Sequence, residues 1–212
     1  MKILKLEQGT PEWEMARLGI PTASRFDAIL TPKTMKPSTQ AEAYMAELLA
    51  EYLLGQPLDW GSSGFMERGT EMEAEARKWY EFTYDVEVET VGFVTRDDGL
   101  VGGSPDGLVG ADGVLEIKCP GALKHVQYML GTHPDHRGQV QGYMKLTDRS
   151  WCDILSYHPD LPPVVFRTER DEKYLSALDA VLEPFIKRLE AAKARFADQR
   201  VPRPWHPGEG AE

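Results

Sequence analysis

Three residues in the segment GGSPDGLVGADGVLEIKCP (102–120) have types and spacing that could do chemistry. Glu116 and Lys118 stand two apart in VLEIK (114–118), a run that reads as a β-strand. Residues two apart on a strand point to the same face. A carboxylate and an ammonium group therefore lie side by side, while Leu115 and Ile117 point the other way, into a core. Asp106 sits at the end of the preceding strand, beside turn-forming residues, and can be carried next to them. Two converging carboxylates make an oxygen-rich site for a hard cation such as Mg²⁺. A lysine beside them can orient or deprotonate a water, or stabilise negative charge as it develops on a phosphate. A bare Asp…Glu-X-Lys also fits a half-exposed hairpin with a cross-strand salt bridge, so its surroundings must decide.

The surrounding elements read as follows. Thr10-Pro11 opens a helix, with a capping hydroxyl and proline at the first helical position, and Gly19 ends it. Thr22 is placed to cap a second short helix running to Leu30. Residues 32–39 form an exposed loop. Helices are expected over 41–54, stopped by Gly55, and from about Phe65 to Phe82. The period then changes. VEVETVGFVT (86–95) alternates and reads as one strand, Asp98-Gly99 as a hairpin turn, and LVGGSP as the returning strand. Helices follow over 122–130 and 135–147, then strands at SWCDILSYH and PPVVFRTE. A long helix from Asp171 places Leu175, Leu178, Leu182, Phe185, Leu189 and Phe196 at helical spacing, with Pro184 expected to kink it. The pattern implies an α/β fold with one central, mostly antiparallel sheet flanked by helices. Residues 1–200 are expected to form one domain, with 201–212 as a proline-rich tail.

Composition narrows the class. The chain has 212 residues, 42% hydrophobic and 27% charged, enough for a core without disulfides. Cys119 and Cys152 are too few for a disulfide scaffold or a four-thiolate cluster. The five histidines give no separate metal site, since His133 and His136 have no cysteine partners at ligand spacing. No apolar run is long enough to cross a bilayer, and the N-terminus has no signal-peptide body, so a cytoplasmic location is expected. Net charge is −10, from 24 basic and 34 acidic residues. That argues against an all-over phosphate-binding surface. If DNA is bound, it must be through a confined basic lining.

Several segments share their order and spacing with one family. EQGTPEWEMARLGIPTASRF (7–26), GTEMEAEARKWYEF (69–82), SPDGL (104–108), LEIKCP (115–120), QVQ (139–141) and ERDEKY (169–174) resemble the lambda exonuclease group, or YqaJ-type viral recombinase nucleases, of the PD-(D/E)XK superfamily. The resemblance runs from about Glu7 to Ala192. It implies a PD-(D/E)XK nuclease-like fold with a central mixed sheet. It implies that Asp106 and Glu116 bind metal, that Lys118 is the catalytic lysine, and that Glu73 completes the second-metal side, although Glu71 and Glu75 lie close by in sequence. Arg17 matches the residue that grips the 5′ phosphate at a DNA end, assisted by Ser24. Of Gln139 and Gln141, which cannot share a helix face, Gln139 is favoured as the one facing the site. Ser104 is a candidate contact to the DNA backbone. Trp13, Trp60, Trp79 and Trp151 read as anchors of the core or of an interface rather than base-stacking platforms. Phe65 and Met66 stand where the family carries a base-pair wedge, but the local sequence departs there and no wedge is assigned.

The implied activity is a Mg²⁺-dependent 5′-to-3′ exonuclease on linear duplex DNA, with two Mg²⁺ per site and Mn²⁺ as a substitute. Its products are 5′ mononucleotides and 3′ overhangs. The implied partners are DNA ends, two further copies in a homotrimeric ring, and a single-strand annealing protein of phage or prophage recombination. A restriction-type endonuclease with the same metal core and a DNA-end-binding protein without catalysis are the alternatives. A third alternative is a structural metal-binding domain indifferent to DNA.

Overall fold

The computed structural model describes residues 1–58 and 63–201, and over 63–71 the helical backbone alone. Its main sheet has five strands. In chain order these are β4 (Val88–Glu89), β7 (Gly107–Val109), β8 (Gly113–Lys118), β9 (Trp151–His158) and β10 (Leu161–Glu169). Their spatial order is β10-β9-β8-β7-β4. All neighbours are antiparallel except β8 and β9, which run parallel with Glu116 opposite Ile154 and Lys118 opposite Ser156. The sheet is therefore mixed and mostly antiparallel, as expected. A parallel pair cannot be joined by a tight turn. Here the connection holds α4 (Ala122–Met129) and α5 (Arg137–Thr147), which pack back on the sheet.

The central strand β8 is buried on both faces. Leu115 and Ile117 join Ala76, Tyr80 and Leu155 in a core beneath α3 (Ser63–Tyr84). Val114 points into the larger core on the other face, with Val140, Tyr143 and Met144 of α5. Outside α5 lie α6 (Glu172–Arg195) and α2 (Ala41–Leu54). α6 is capped by Asp171, whose side chain accepts from Tyr174 N, and runs through Pro184. It buries Leu175, Leu178, Leu182, Phe185 and Leu189, the stripe expected from their spacing. Phe196 falls just past its end. α2 stops at Gly55, whose φ of 67° suits glycine. No helix of the described residues is long and apolar enough to cross a membrane.

The N-terminal part forms a lid-like layer of small elements. β1 (Lys2–Leu4) pairs with β5 (Phe93–Thr95), which pairs with β6 (Gly102–Gly103) around the Asp98-Gly99 turn. α1 (Pro11–Arg17) is capped by Thr10. β2 (Leu30–Thr31) and β3 (Lys36–Pro37) make a small hairpin, with β3 inside the segment 32–39 expected to be loop.

Three expectations need correction. Residues 86–95 are not one strand. They split into β4 and β5, which belong to different sheets, because the chain at Gly92 passes against the N-terminus. A Cβ there would lie 2.1 Å from Leu6 O. The returning hairpin strand is only Gly102–Gly103, and Asp106 does not end it but immediately precedes a separate strand, β7. The segment after Thr22 is a 3₁₀ turn over Ala23–Ala28, with no side-chain cap. The strand carrying Glu116 is central and buried, which rules out the alternative of a half-exposed hairpin. The expected tail from 202 onward, Trp60, and the side chains of Phe65, Met66 and Glu71 lie outside the described residues.

Candidate active site

A cleft of about 190 Å³ opens at the end of the main sheet. Its walls include Asp106, Glu116, Lys118, Glu73, Gln139, Ser104, Arg17 and Ser24, so all eight sequence-derived candidates meet in one place. Gln8, Trp13, Thr22, Ile117 and Tyr143 complete the lining.

The strand pleat sets the centre. Glu116 and Lys118 share the face of β8 turned toward α5, and Lys118 Nζ lies 2.5 Å from Glu116 Oε1. Asp106 arrives from the residue just before the neighbouring strand β7, and Ile117 N donates to its Oδ2 at 2.6 Å. From α5, Gln139 Nε2 donates to Glu116 Oε1 at 2.8 Å. Glu116 is 3% exposed, and its other oxygen, Oε2, is buried with no partner. Gln141 turns away, donating to Glu169 O and accepting from Asp171 N. The preference for Gln139 thus agrees with the geometry.

α3 contributes Glu73, half-buried and facing the same cleft. Glu75 is exposed and hydrogen-bonds Tyr157 instead. Arg77, one turn after Glu73, donates to Asp106 O at 3.4 Å.

Burial of several carboxylates together raises their pKa values. Glu73 is pushed up to about 7, by loss of hydration first and by the charge of Asp106 second. Asp106 is held well above its ordinary range by burial and then by Glu116. Glu116 is raised by burial, against the opposing pull of Lys118. Burial disfavours the Lys118 ammonium, but Glu116, Asp106 and Glu73 more than offset this and hold it above its usual range. The site is short of positive charge.

A second wall comes from the N-terminal layer. Trp13 Nε1 donates to Ser104 Oγ at 2.8 Å and to Gly92 O at 3.1 Å. Gln8 Nε2 donates to Val91 O at 2.9 Å and Pro105 O at 3.0 Å. Both side chains tie the segment leading into Asp106 to the start of the chain. The Arg17 guanidinium stacks 3.9 Å over the Trp13 ring and reaches the cleft. Ser24 Oγ lies 3.2 Å from Thr22 Oγ1. From its sequence context Trp13 is expected to be a core or interface anchor, and neither Gln8 nor Tyr143 stands out. Tyr143 is four residues after Gln139, the spacing that shares a helix face, which is the one signal that could have found it. Gln8 carried none.

A hard cation fits this donor set. The facing groups are carboxylate oxygens, and the buried, unpartnered Glu116 Oε2 is an acceptor that needs a positive partner. Among the described residues the carboxylates do not form a ready-made cluster of three metal-binding side chains. Lys118 already occupies one side of Glu116.

Comparison with known proteins agrees with this architecture. The YqaJ-like viral recombinase domain matches residues 12–150. Two crystal structures of an alkaline exonuclease (LHK-Exo) from Laribacter hongkongensis superpose well. The first has a TM-score of 0.77 at 34% identity and covers 90% of this chain and 97% of the other. The second, a complex with dAMP, has a TM-score of 0.76 at 35% identity and covers 89% and 97%. A phage-related exonuclease from Haemophilus somnus 129PT shares the fold, with a TM-score of 0.59 at 15% identity over 92% of this chain and 97% of that one. No curated protein sequence matches. The fold is of the PD-(D/E)XK nuclease type, as the sequence motifs implied. The chain belongs to the YqaJ-like viral recombinase domain family, the lambda exonuclease group.

Proposed function

We propose that this chain is a Mg²⁺-dependent 5′-to-3′ exonuclease that acts on linear duplex DNA, releases 5′ mononucleotides and leaves 3′ overhangs. Family membership and the likeness to alkaline exonucleases support a DNA exonuclease. The observation that carries the finer reading is the meeting of Asp106, Glu116, Lys118 and Glu73 with Arg17 and Ser24 in a single cleft. The dAMP bound to one relative supports mononucleotides as products.

Asp106, Glu116 and Glu73 would hold the metal, with two Mg²⁺ expected and Mn²⁺ able to replace them. When bound, Mg²⁺ supplies a Lewis acid that activates water and stabilises the departing 3′ oxygen. Lys118 holds the attacking water and the phosphate oxygens with its ammonium group. Gln139 keeps Glu116 in place. Arg17 takes the terminal 5′ phosphate in its guanidinium fork, with Ser24 as a second donor. Its stacking on Trp13 fixes the plane of that fork. Ser104, held by Trp13, borders the path of the DNA backbone. Holding the 5′ end one nucleotide from the metal ligands gives the polarity.

A homotrimeric ring around the duplex would reconcile an acidic chain with DNA binding, since basic groups need line only the channel. The expected setting is phage or prophage recombination in a bacterial cytoplasm, handing the 3′ strand to a single-strand annealing protein. The deciding experiment uses linear duplex DNA with one 5′-phosphorylated end, labelled on each strand in turn, with Mg²⁺ and with EDTA. Wild type should release mononucleotides from the 5′ end only in Mg²⁺, and Lys118→Ala should release none. Internal cuts would indicate an endonuclease, and end binding without cutting a non-catalytic protein.

A further inference from the structure

Tyr143 completes a chain of hydrogen bonds whose direction is fixed at one end. Its hydroxyl lies 3.0 Å from Ser104 O, and Gln139 Nε2 lies 2.9 Å from the same hydroxyl. A backbone carbonyl can only accept, so the tyrosine proton goes to Ser104 O. That hydroxyl can then only accept from Gln139, and Gln139 must present its amino group to it. The remaining N–H of that amino group points at Glu116 Oε1. The Ser104 carbonyl, through Tyr143, and the Glu116 carboxylate thus both require the Gln139 amino group.

The consequence reaches Glu116. Its Oε1 receives both Gln139 and Lys118, while Oε2 is buried and has no partner. The same tyrosine braces the segment before Asp106. Its ring sits so close to Gly103 that a Cβ at that position would lie 2.9 Å from Tyr143 Cε1. Tyr143 is 3% exposed, and its hydroxyl is engaged by Gln139 and Ser104 O.

We propose that Tyr143 is a positioning residue: through Gln139 it holds Glu116 with Oε2 free for the metal. The inference rests on the metal-dependent reading of this cleft. Without the tyrosine hydroxyl, the Gln139 amino group keeps only its bond to Glu116 Oε1, and the carboxamide is no longer pinned from the other side.

The test measures Mn²⁺ binding by isothermal titration in the absence of DNA, for wild type, Tyr143→Phe, Gln139→Met and the double variant. Supporting groups of this kind typically contribute about 10- to 100-fold in metal affinity. Tyr143→Phe is expected to lose about 10-fold. In the Gln139→Met background the same change should cost less than about twofold, because the route is already cut. On DNA, kcat should fall with KM unchanged. Unaltered Mn²⁺ affinity in Tyr143→Phe would overturn the proposal, as would an equal loss in both backgrounds. Should Tyr143→Phe fail to fold, Gln139→Met alone must lose the affinity, and an unchanged value there overturns it as well. Wild type that binds Mn²⁺ but leaves DNA intact would refute the nuclease reading and not this one.

Discussion

Replacing Gly142 with alanine tests how closely α5 must approach the 3₁₀ turn that carries Ser24. A Cβ at 142 would lie 2.7 Å from two carbons of the Phe26 ring and 2.9 Å from Ala23 Cβ. Carbon atoms ordinarily meet at about 3.5–4.0 Å. Helix and turn would therefore have to part by up to about 1 Å. Phe26 and Ala23 are both fully buried, so the ring cannot swing into solvent to relieve the clash. Two effects oppose each other. Inside a helix, alanine is favoured over glycine by about 1 kcal/mol. Overpacking a filled core costs about 1–3 kcal/mol, and contact with a stiff ring and another Cβ places this site near the upper end. The net expectation is destabilisation by about 1–2 kcal/mol. For a chain of 212 residues this corresponds to a melting temperature lowered by about 2–8 °C. Thermal unfolding followed by far-ultraviolet circular dichroism measures it. A variant as stable as wild type, or more so, would mean that helix propensity outweighs the contact, and the close-approach argument would fail.

Three further outcomes follow from other parts of the molecule. Asp27 has its pKa raised to about 6, by burial first and by Asp135 second, and its Oδ1 has no partner. Its folded value lies above its unfolded one, so its contribution is present below about pH 4 and is lost as pH rises through about 6. Asp27→Asn should gain about 1 kcal/mol over wild type at neutral pH, after allowing for partial solvent screening, and nothing near pH 4. Urea unfolding across this range checks it, and parallel curves would refute it. Asp153 is 1% exposed and accepts from Arg167 Nε and Nη2, both at 2.8 Å, and from Tyr80 Oη at 2.7 Å. Arg167→Ala should cost about 2 kcal/mol, less than a fully buried pair because Arg167 is half exposed. Adding Asp153→Asn should recover part of that loss in urea unfolding, and additive losses would count against the network. Arg17→Ala should reduce the preference for 5′-phosphorylated over unphosphorylated ends by about 10-fold or more, the worth of a charge-assisted pair, with Mn²⁺ binding unchanged. An unaltered ratio of cutting rates would remove Arg17 from the phosphate site.

Those residues differ in how visible they are in the sequence. Glu116, Lys118, Leu115 and Ile117 could be placed because a strand's side-chain period is local information. The helices ending at Gly19 and Gly55 were legible for the same reason, since their start and stop signals lie within a few residues. Gln139 could be favoured over Gln141 because a helix cannot turn both inward. What stayed hidden depends on distant parts of the chain. Residues 86–95 alternate like one strand, and only the arrival of Leu6 beside Gly92 divides them. β7 is only the three residues Gly107–Val109, too short for any pattern to declare itself. Glu73, Glu71 and Glu75 could not be separated without knowing which face of α3 meets Asp106. Family resemblance supplied Arg17 and Ser24, and the fold then brought them to the same cleft as Asp106.

The bonds from Gln8 and Trp13 have a meaning for how the protein is made. Gln8 is separated from Val91 by 83 residues and from Pro105 by 97, and Trp13 from Gly92 by 79 and Ser104 by 91. At ribosomal speeds of about 5–20 residues per second, the start of the chain must wait roughly 5–20 s before its docking site has been synthesised. During that interval Arg17 and Trp13 exist, but the wall they belong to does not. β8 comes later still and needs its parallel neighbour Trp151–His158 before its second edge is covered. A nascent or prematurely ended chain therefore carries separate pieces of the cleft with nothing holding them together. The site therefore assembles late in synthesis, and a large group fused near Gln8 would interfere with that step before it touched the finished centre.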